Sequence, residues 1–194
     1  MKVLDQIALF LKITGSHEIA RRYFVVNGFD GALTMLGIII GFYNANDIPV
    51  TVVVSACLGG AVALGVSGIS SAYISEAAER RRSLKELEEA MVTDLDDSAH
   101  GQAARLTPIA IALVNGLAPF IISLLIITPL WVPGLSAKMP LQPLESAIAI
   151  ALILIFLLGV FLGRVSGQFW LFAGLRTLFV ALITGAIILL ITPY

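Results

Sequence analysis

Asp30 lies in Asn27-Gly28-Phe29-Asp30-Gly31, about two turns into an apolar run that begins near Tyr23. A carboxylate at that depth costs a few kcal/mol and tends to face a cavity, a pathway or a partner. The chemistry open to it is reversible binding of a cation or a proton. It can instead be an interfacial carboxylate that caps, snorkels or pairs with Arg176. Thr34, one turn on, shares its face and can add an oxygen ligand.

A second group of carboxylates follows the next apolar run: Glu76, Glu79, Glu86, Glu88 and Glu89, then Asp94, Asp96 and Asp97, with His100. On an ideal helix Glu76, Glu79, Glu86 and Glu89 fall within an arc of about 140°. Carboxylate oxygens suit hard or borderline divalent cations. Arg80, Arg81, Arg82 and Lys85 are interleaved, however. Glu76–Arg80, Arg82–Glu86 and Lys85–Glu89 have the i,i+4 spacing of a solvated helix. Segment 76–105 holds eight acidic and five basic residues.

The run before these acids carries Ser67, Ser70, Ser71 and Ser75 at helical spacing, beside several glycines. Such a stripe lines a pathway or glues helices together. Asn115-Gly116 and Pro119 mark either a local break that exposes carbonyls to an ion or a packing kink. Gly37-x-x-x-Gly41 and Gly159-x-x-x-Gly163-x-x-x-Gly167 let helices approach closely, within one chain or between two. Gly65-Val66-Ser67-Gly68 has the form of an intramembrane serine protease motif, but that chemistry needs a general base. His17 and His100, the only histidines, fall outside the apolar runs. There is no HExxH, phosphate loop or dinucleotide fingerprint, so no enzyme and no organic cofactor is expected.

Composition says what must position these residues. Of 194 residues, 58% are hydrophobic and 13% charged, against about 25% charged in soluble domains. Lipid must therefore be the solvent for much of the chain. Five runs can cross a bilayer: Tyr23–Tyr43, Pro49–Ile74, Leu106–Leu130, Leu144–Gly163 and Phe169–Ile191. In hydrocarbon every backbone N–H and C=O must be paired internally, so each should be a helix. The expected fold is all-α. Residues 1–22 form amphipathic, interfacial helices, 23–75 the first two spans, 76–105 a short acidic segment, and 106–194 the last three spans.

Val3, Leu4, Ile7, Phe10 and Leu11 recur at helical spacing and predict a helix lying on the interface. Ser16 can cap the helix after it. Residues Pro49–Val92 predict one rod, on the order of 66 Å long at 1.5 Å per residue. Thr93–Gly101 reads as a turn or loop. Lys and Arg concentrate on one side, with only Lys138 on the other. The N-terminus and the acidic segment are therefore expected in the cytoplasm and the C-terminus outside. Absence of a targeting peptide points to a prokaryotic cell membrane. The lone Cys57 excludes a disulfide framework within one chain. Basic residues form no extended patch, which argues against nucleic acid as a partner.

His17-Glu18-Ile19-Ala20-Arg21-Arg22 followed by Asn27 to Thr34 resembles the start of the vacuolar iron transporter family. The run ending Ala72-Tyr73-Ile74-Ser75, the third span with Pro119, and Gly174-Leu175-Arg176 resemble it too. The likeness covers nearly the whole chain. It implies a homodimer that exports ferrous iron, or a similar divalent cation such as manganese, from the cytosol in exchange for protons. Asp30 would stand in the pathway with Thr34, Ser71 and Asn115. Glu76, Glu79, Glu86 and Glu89 would collect metal beforehand. Phe29 replaces an Asn usual in that family, Gly68 and Ala72 replace a Met and a Glu, and the cytoplasmic insertion is shorter. Two other functions fit the same residues: a non-transporting scaffold or accessory subunit, and a carrier of a small organic solute lined by the serine stripe.

Overall fold

A computed structural model describes residues 16–43, 45, 48–132 and 141–191, with the side chains of 16–19 excepted. The interfacial helix expected over the first residues, Lys138, and the end of the chain lie outside the described residues. The described residues form five helices: α1 (Ser16–Tyr43), α2 (Val50–Met91), α3 (Ala99–Trp131), α4 (Pro143–Val165) and α5 (Trp170–Ile191). Each contains a stretch long and apolar enough to cross a membrane. The protein is a multi-pass integral membrane protein. Backbone polarity in each span is satisfied within its own helix, as hydrocarbon demands.

The 42 residues of α2 run without interruption for about 63 Å at 1.5 Å per residue. This agrees with the rod expected over Pro49–Val92. The third span differs from expectation. It begins at Ala99 rather than Leu106, because Ser98 caps it: the Ser98 hydroxyl oxygen accepts the N–H groups of His100 (3.1 Å) and Gly101 (3.3 Å). Gly101, which suggested a loop, is needed inside this first turn. A Cβ there would run into the carbonyls of Leu95 and Asp96. Nor do Asn115, Gly116 and Pro119 interrupt α3.

The helices are shared between two compact units. One comprises described residues up to Phe24 with Gly65–Leu117; the other comprises Val25–Leu64 and the residues from Ala118 onward.

In the first unit α2 and α3 form an antiparallel hairpin. Gly68 and Gly116 permit its close crossing: a Cβ on Gly68 would lie 2.9 Å from Gly116 Cα, and one on Gly116 would strike the Gly65 carbonyl and Ile69. The Asn115 amide then donates to the Gly68 carbonyl at 2.7 Å. Asn115 is buried, and this bond latches the crossing.

The second unit holds the apolar core, in which Met35, Leu36 and Ile39 of α1 meet Val53 and Cys57 of α2, Ile126 and Ile127 of α3, and Ile155 of α4. The thiol of Cys57 is fully buried there. Tyr43 at the end of α1 donates to Glu145 in the first turn of α4 (3.2 Å). The other Glu145 oxygen accepts the Gln142 N–H (3.1 Å), so one carboxylate starts α4 and ties α1 to it. Helices α4 and α5 form a second hairpin. Gly159 and Gly163 of α4 are used here, within one chain, against Ala173 and Thr177 of α5.

Candidate functional site

Asp30 is held by the regular backbone of α1, with no break at the flanking glycines. Its carboxylate is exposed. It forms no hydrogen bond or ion pair among the described residues, and Arg176, also exposed, does not pair with it. The alternative in which Arg176 neutralises Asp30 is thus not realised. A cavity of about 210 Å³ opens beside it, lined by Val26 and Phe29 of α1, Leu158, Gly159 and Leu162 of α4, and Thr177 of α5. That lining is nearly all apolar. The Thr177 hydroxyl is occupied, lying 3.1 Å from the Ile155 carbonyl and 2.9 Å from that of Gly174. Among the described residues Asp30 is therefore the only charged group in the cavity wall. Thr34, one turn on, is partly buried.

The remaining sequence candidates belong to the first unit. Ser67, Ser70, Ser71 and Ser75 are all exposed along α2. Among the described residues of this unit the stripe therefore does not glue helices together. Ser71 donates weakly to the Gly68 carbonyl (3.4 Å), the same oxygen that takes the Asn115 amide. Ser71 and Asn115 thus meet at one carbonyl, at the crossing of α2 and α3.

Of the five glutamates on the α2 extension, three of the four expected to collect metal are ion-paired one turn away. Glu76 lies 3.7 Å from Arg80, Glu86 2.9 Å from Arg82 and Glu89 3.8 Å from Lys85. The hydrogen bond to Glu86 holds the Arg82 guanidinium protonated even more firmly than usual, aided by the charges of Glu86 and Glu79. The last two pairs are well exposed, and exposed pairs contribute little to stability.

A different set of carboxylates converges. Ligand oxygens of Glu88, Asp94 and Asp96 all lie within 4.8 Å of one another. The turn after α2 brings them together. Leu95 N–H donates to Glu88 (3.0 Å) and Asp96 N–H to Asp94 (2.8 Å), while Arg105 approaches Asp96 at 3.4 Å. Helical spacing could not reveal this trio, because a reversal of the chain returns Asp94 and Asp96 to Glu88. The composition Asp-Leu-Asp-Asp after a helix was the available signal. Carboxylate oxygens are the donor type that hard divalent cations take.

Over 163 residues the sequence is 31% identical to uncharacterized protein MJ0645 of Methanocaldococcus jannaschii, an alignment covering 82% of this chain and 81% of the archaeal protein. The chain belongs to the MJ0645 family. No family model matches it, and no solved structure does.

Proposed function

We propose that the protein exports divalent metal cations of the iron or manganese type from the cytosol, as a homodimer, in exchange for protons. The observation that carries this reading is Asp30. It is a lone carboxylate on a membrane-spanning helix, exposed beside an apolar cavity and without a protein counter-charge among the described residues. Hydrocarbon does not accept such a group. A second copy of the chain and a cation-bearing pathway together give it the water and counter-charge it needs. The exposed serines of α2 support the same arrangement, since a polar stripe facing lipid gains nothing there.

In this mechanism the cytoplasmic carboxylates Glu88, Asp94 and Asp96, with Glu79 further back along the rod, concentrate the cation by charge. Asp30 accepts it within the membrane, releasing a proton. Protonation of Asp30 from the far side displaces the metal and resets the site. The Lys and Arg distribution puts the N-terminus and the acidic hairpin in the cytoplasm and the C-terminus outside, in what we take to be a prokaryotic cell membrane.

The ion pairs of Glu76, Glu86 and Glu89 favour one rival, a non-transporting membrane scaffold whose acidic rod is merely solvated. Proteoliposome flux separates the two. Wild-type protein should move ferrous iron or manganese under a proton gradient, and Asp30→Asn should abolish at least nine-tenths of that flux while remaining a monodisperse oligomer. Absence of divalent flux with a gradient of either sign would refute export. Equal flux in both proteins would remove Asp30 from the pathway.

A further inference from the structure

A cavity of about 650 Å³ lies in the α2–α3 hairpin of the first unit. Its inner end is formed by Tyr73 of α2 and Pro108 of α3, and its cations are Arg81, Lys85 and Arg105. These positions straddle the change from apolar to charged sequence on both helices. Tyr73 is the last aromatic before Glu76, and Arg105 immediately precedes the apolar run of α3. The cavity therefore crosses the edge of the hydrocarbon.

The three cations differ in how far they are committed. Lys85 is 3.8 Å from Glu89, and Arg105 is 3.4 Å from Asp96. Arg81 is exposed and has no hydrogen bond or ion pair among the described residues. Its Cα stands about 12 Å beyond that of Tyr73 at 1.5 Å per residue. Side chains on a helix lean toward its N-terminus. On α2 that direction is back toward the bilayer, so the Arg81 guanidinium is carried toward the headgroup layer, which is about 5–7 Å thick on each side. Two carboxylates also line the cavity, Glu88 and Asp96. Glu88 lies about 10 Å further from the membrane along the rod and accepts the Leu95 N–H, while Asp96 is taken by Arg105. Arg81 is left as the uncommitted charge, with Tyr73, Ala77 and Pro108 as an apolar floor beneath it.

We infer that this groove seats the phosphate headgroup of an anionic membrane phospholipid, with Arg81 as its principal ligand and the first acyl carbons against Tyr73 and Pro108. A guanidinium matches phosphate oxygens with a planar pair of donors, and the apolar floor suits a lipid rather than free phosphate. The inference is independent of metal transport. Arg82, the next residue, is the internal control. It is equally cationic but hydrogen-bonded to Glu86 at 2.9 Å and does not line the cavity.

The test uses the full-length chain in detergent, with phosphatidylglycerol, phosphatidylcholine or inorganic phosphate added at equal concentration. Bound lipid is counted by native mass spectrometry and the unfolding midpoint is followed. Phosphatidylglycerol should bind several-fold better than phosphatidylcholine. Arg81→Gln should lose about five-fold of that preference, the share of one interfacial cation, while Arg82→Gln keeps it. Equal binding of the two lipids overturns the inference. So does an equal loss in both variants, which would reduce the effect to diffuse surface charge. Phosphate acting as strongly as phosphatidylglycerol overturns the lipid assignment in favour of a free-anion site.

Discussion

Helix α2 ends at Met91 and helix α4 at Val165, and the chain leaves both by one hydrogen-bond pattern. Thr93 N–H reaches the Glu88 carbonyl (3.3 Å), and Gln168 N–H reaches that of Gly163 (2.9 Å), each bond going five residues back. In both turns one residue takes a positive φ. In the α4–α5 turn it is Gly167, at 68°; after α2 it is Val92, at 53°. Glycine adopts this conformation freely, whereas a β-branched residue is strained there. The hairpins differ in the same sense along their length. The α4–α5 pair packs glycines against Ala173 and Thr177 in an apolar seam. The α2–α3 pair crosses on glycines too, but adds the Asn115 latch and ends in a polar, carboxylate-rich turn. The α4–α5 hairpin has a polar tie of its own, from the Thr177 hydroxyl to the Ile155 carbonyl (3.1 Å), but no carboxylate in its turn. The other holds strain at the turn where three carboxylates converge.

The comparison breaks most readily at the crossings. Gly116→Leu must displace backbone at the Gly65 carbonyl, and Gly159→Leu must displace Thr177 and the Ala173 carbonyl. Each should destabilise by about 1–3 kcal/mol or more and yield aggregated protein on size exclusion in detergent. Retention of a monodisperse peak by either variant would show that its crossing can open. A smaller effect comes from exchanging the turns. Val92→Gly should stabilise the protein and Gly167→Val destabilise it, each by about 1–2 kcal/mol, seen as opposite shifts of the unfolding midpoint; shifts of the same sign would contradict the strain assigned to Val92. The smallest concerns the latch. Asn115→Ala should cost about 0.6 kcal/mol, the usual worth of an interhelical hydrogen bond in a membrane protein. A double-mutant cycle with Ser71→Ala, read by thermal unfolding, should show the two side chains coupled through the Gly68 carbonyl.

Much of this architecture was legible in the sequence because hydrocarbon leaves few choices. Apolar runs of spanning length had to be helices, and the absence of Gly and Pro over Ala77–Val92 foretold that α2 would continue as a rod. The start of α3 was hidden because Gly101 has two meanings. It breaks an isolated helix, but it also admits the Leu95 and Asp96 carbonyls, and only the fold shows which use is made of it. The i,i+4 ion pairs followed from spacing. The Glu88, Asp94 and Asp96 trio did not, since their approach depends on a chain reversal, and neither did the groove at Arg81, which needs two helices. Asp30 was evident from its cost in lipid, but its freedom from Arg176 depended on where α5 sits within its unit.

Cys57 has a practical consequence. It is the chain's single thiol and lies fully enclosed among apolar side chains, where reagents do not reach. The native protein is thus already a quiet background for maleimide chemistry. A cysteine introduced at Val92 or Phe172, both highly exposed, would be the sole reactive position, so its labelling from either side of sealed vesicles would report sidedness without any prior removal of the native residue.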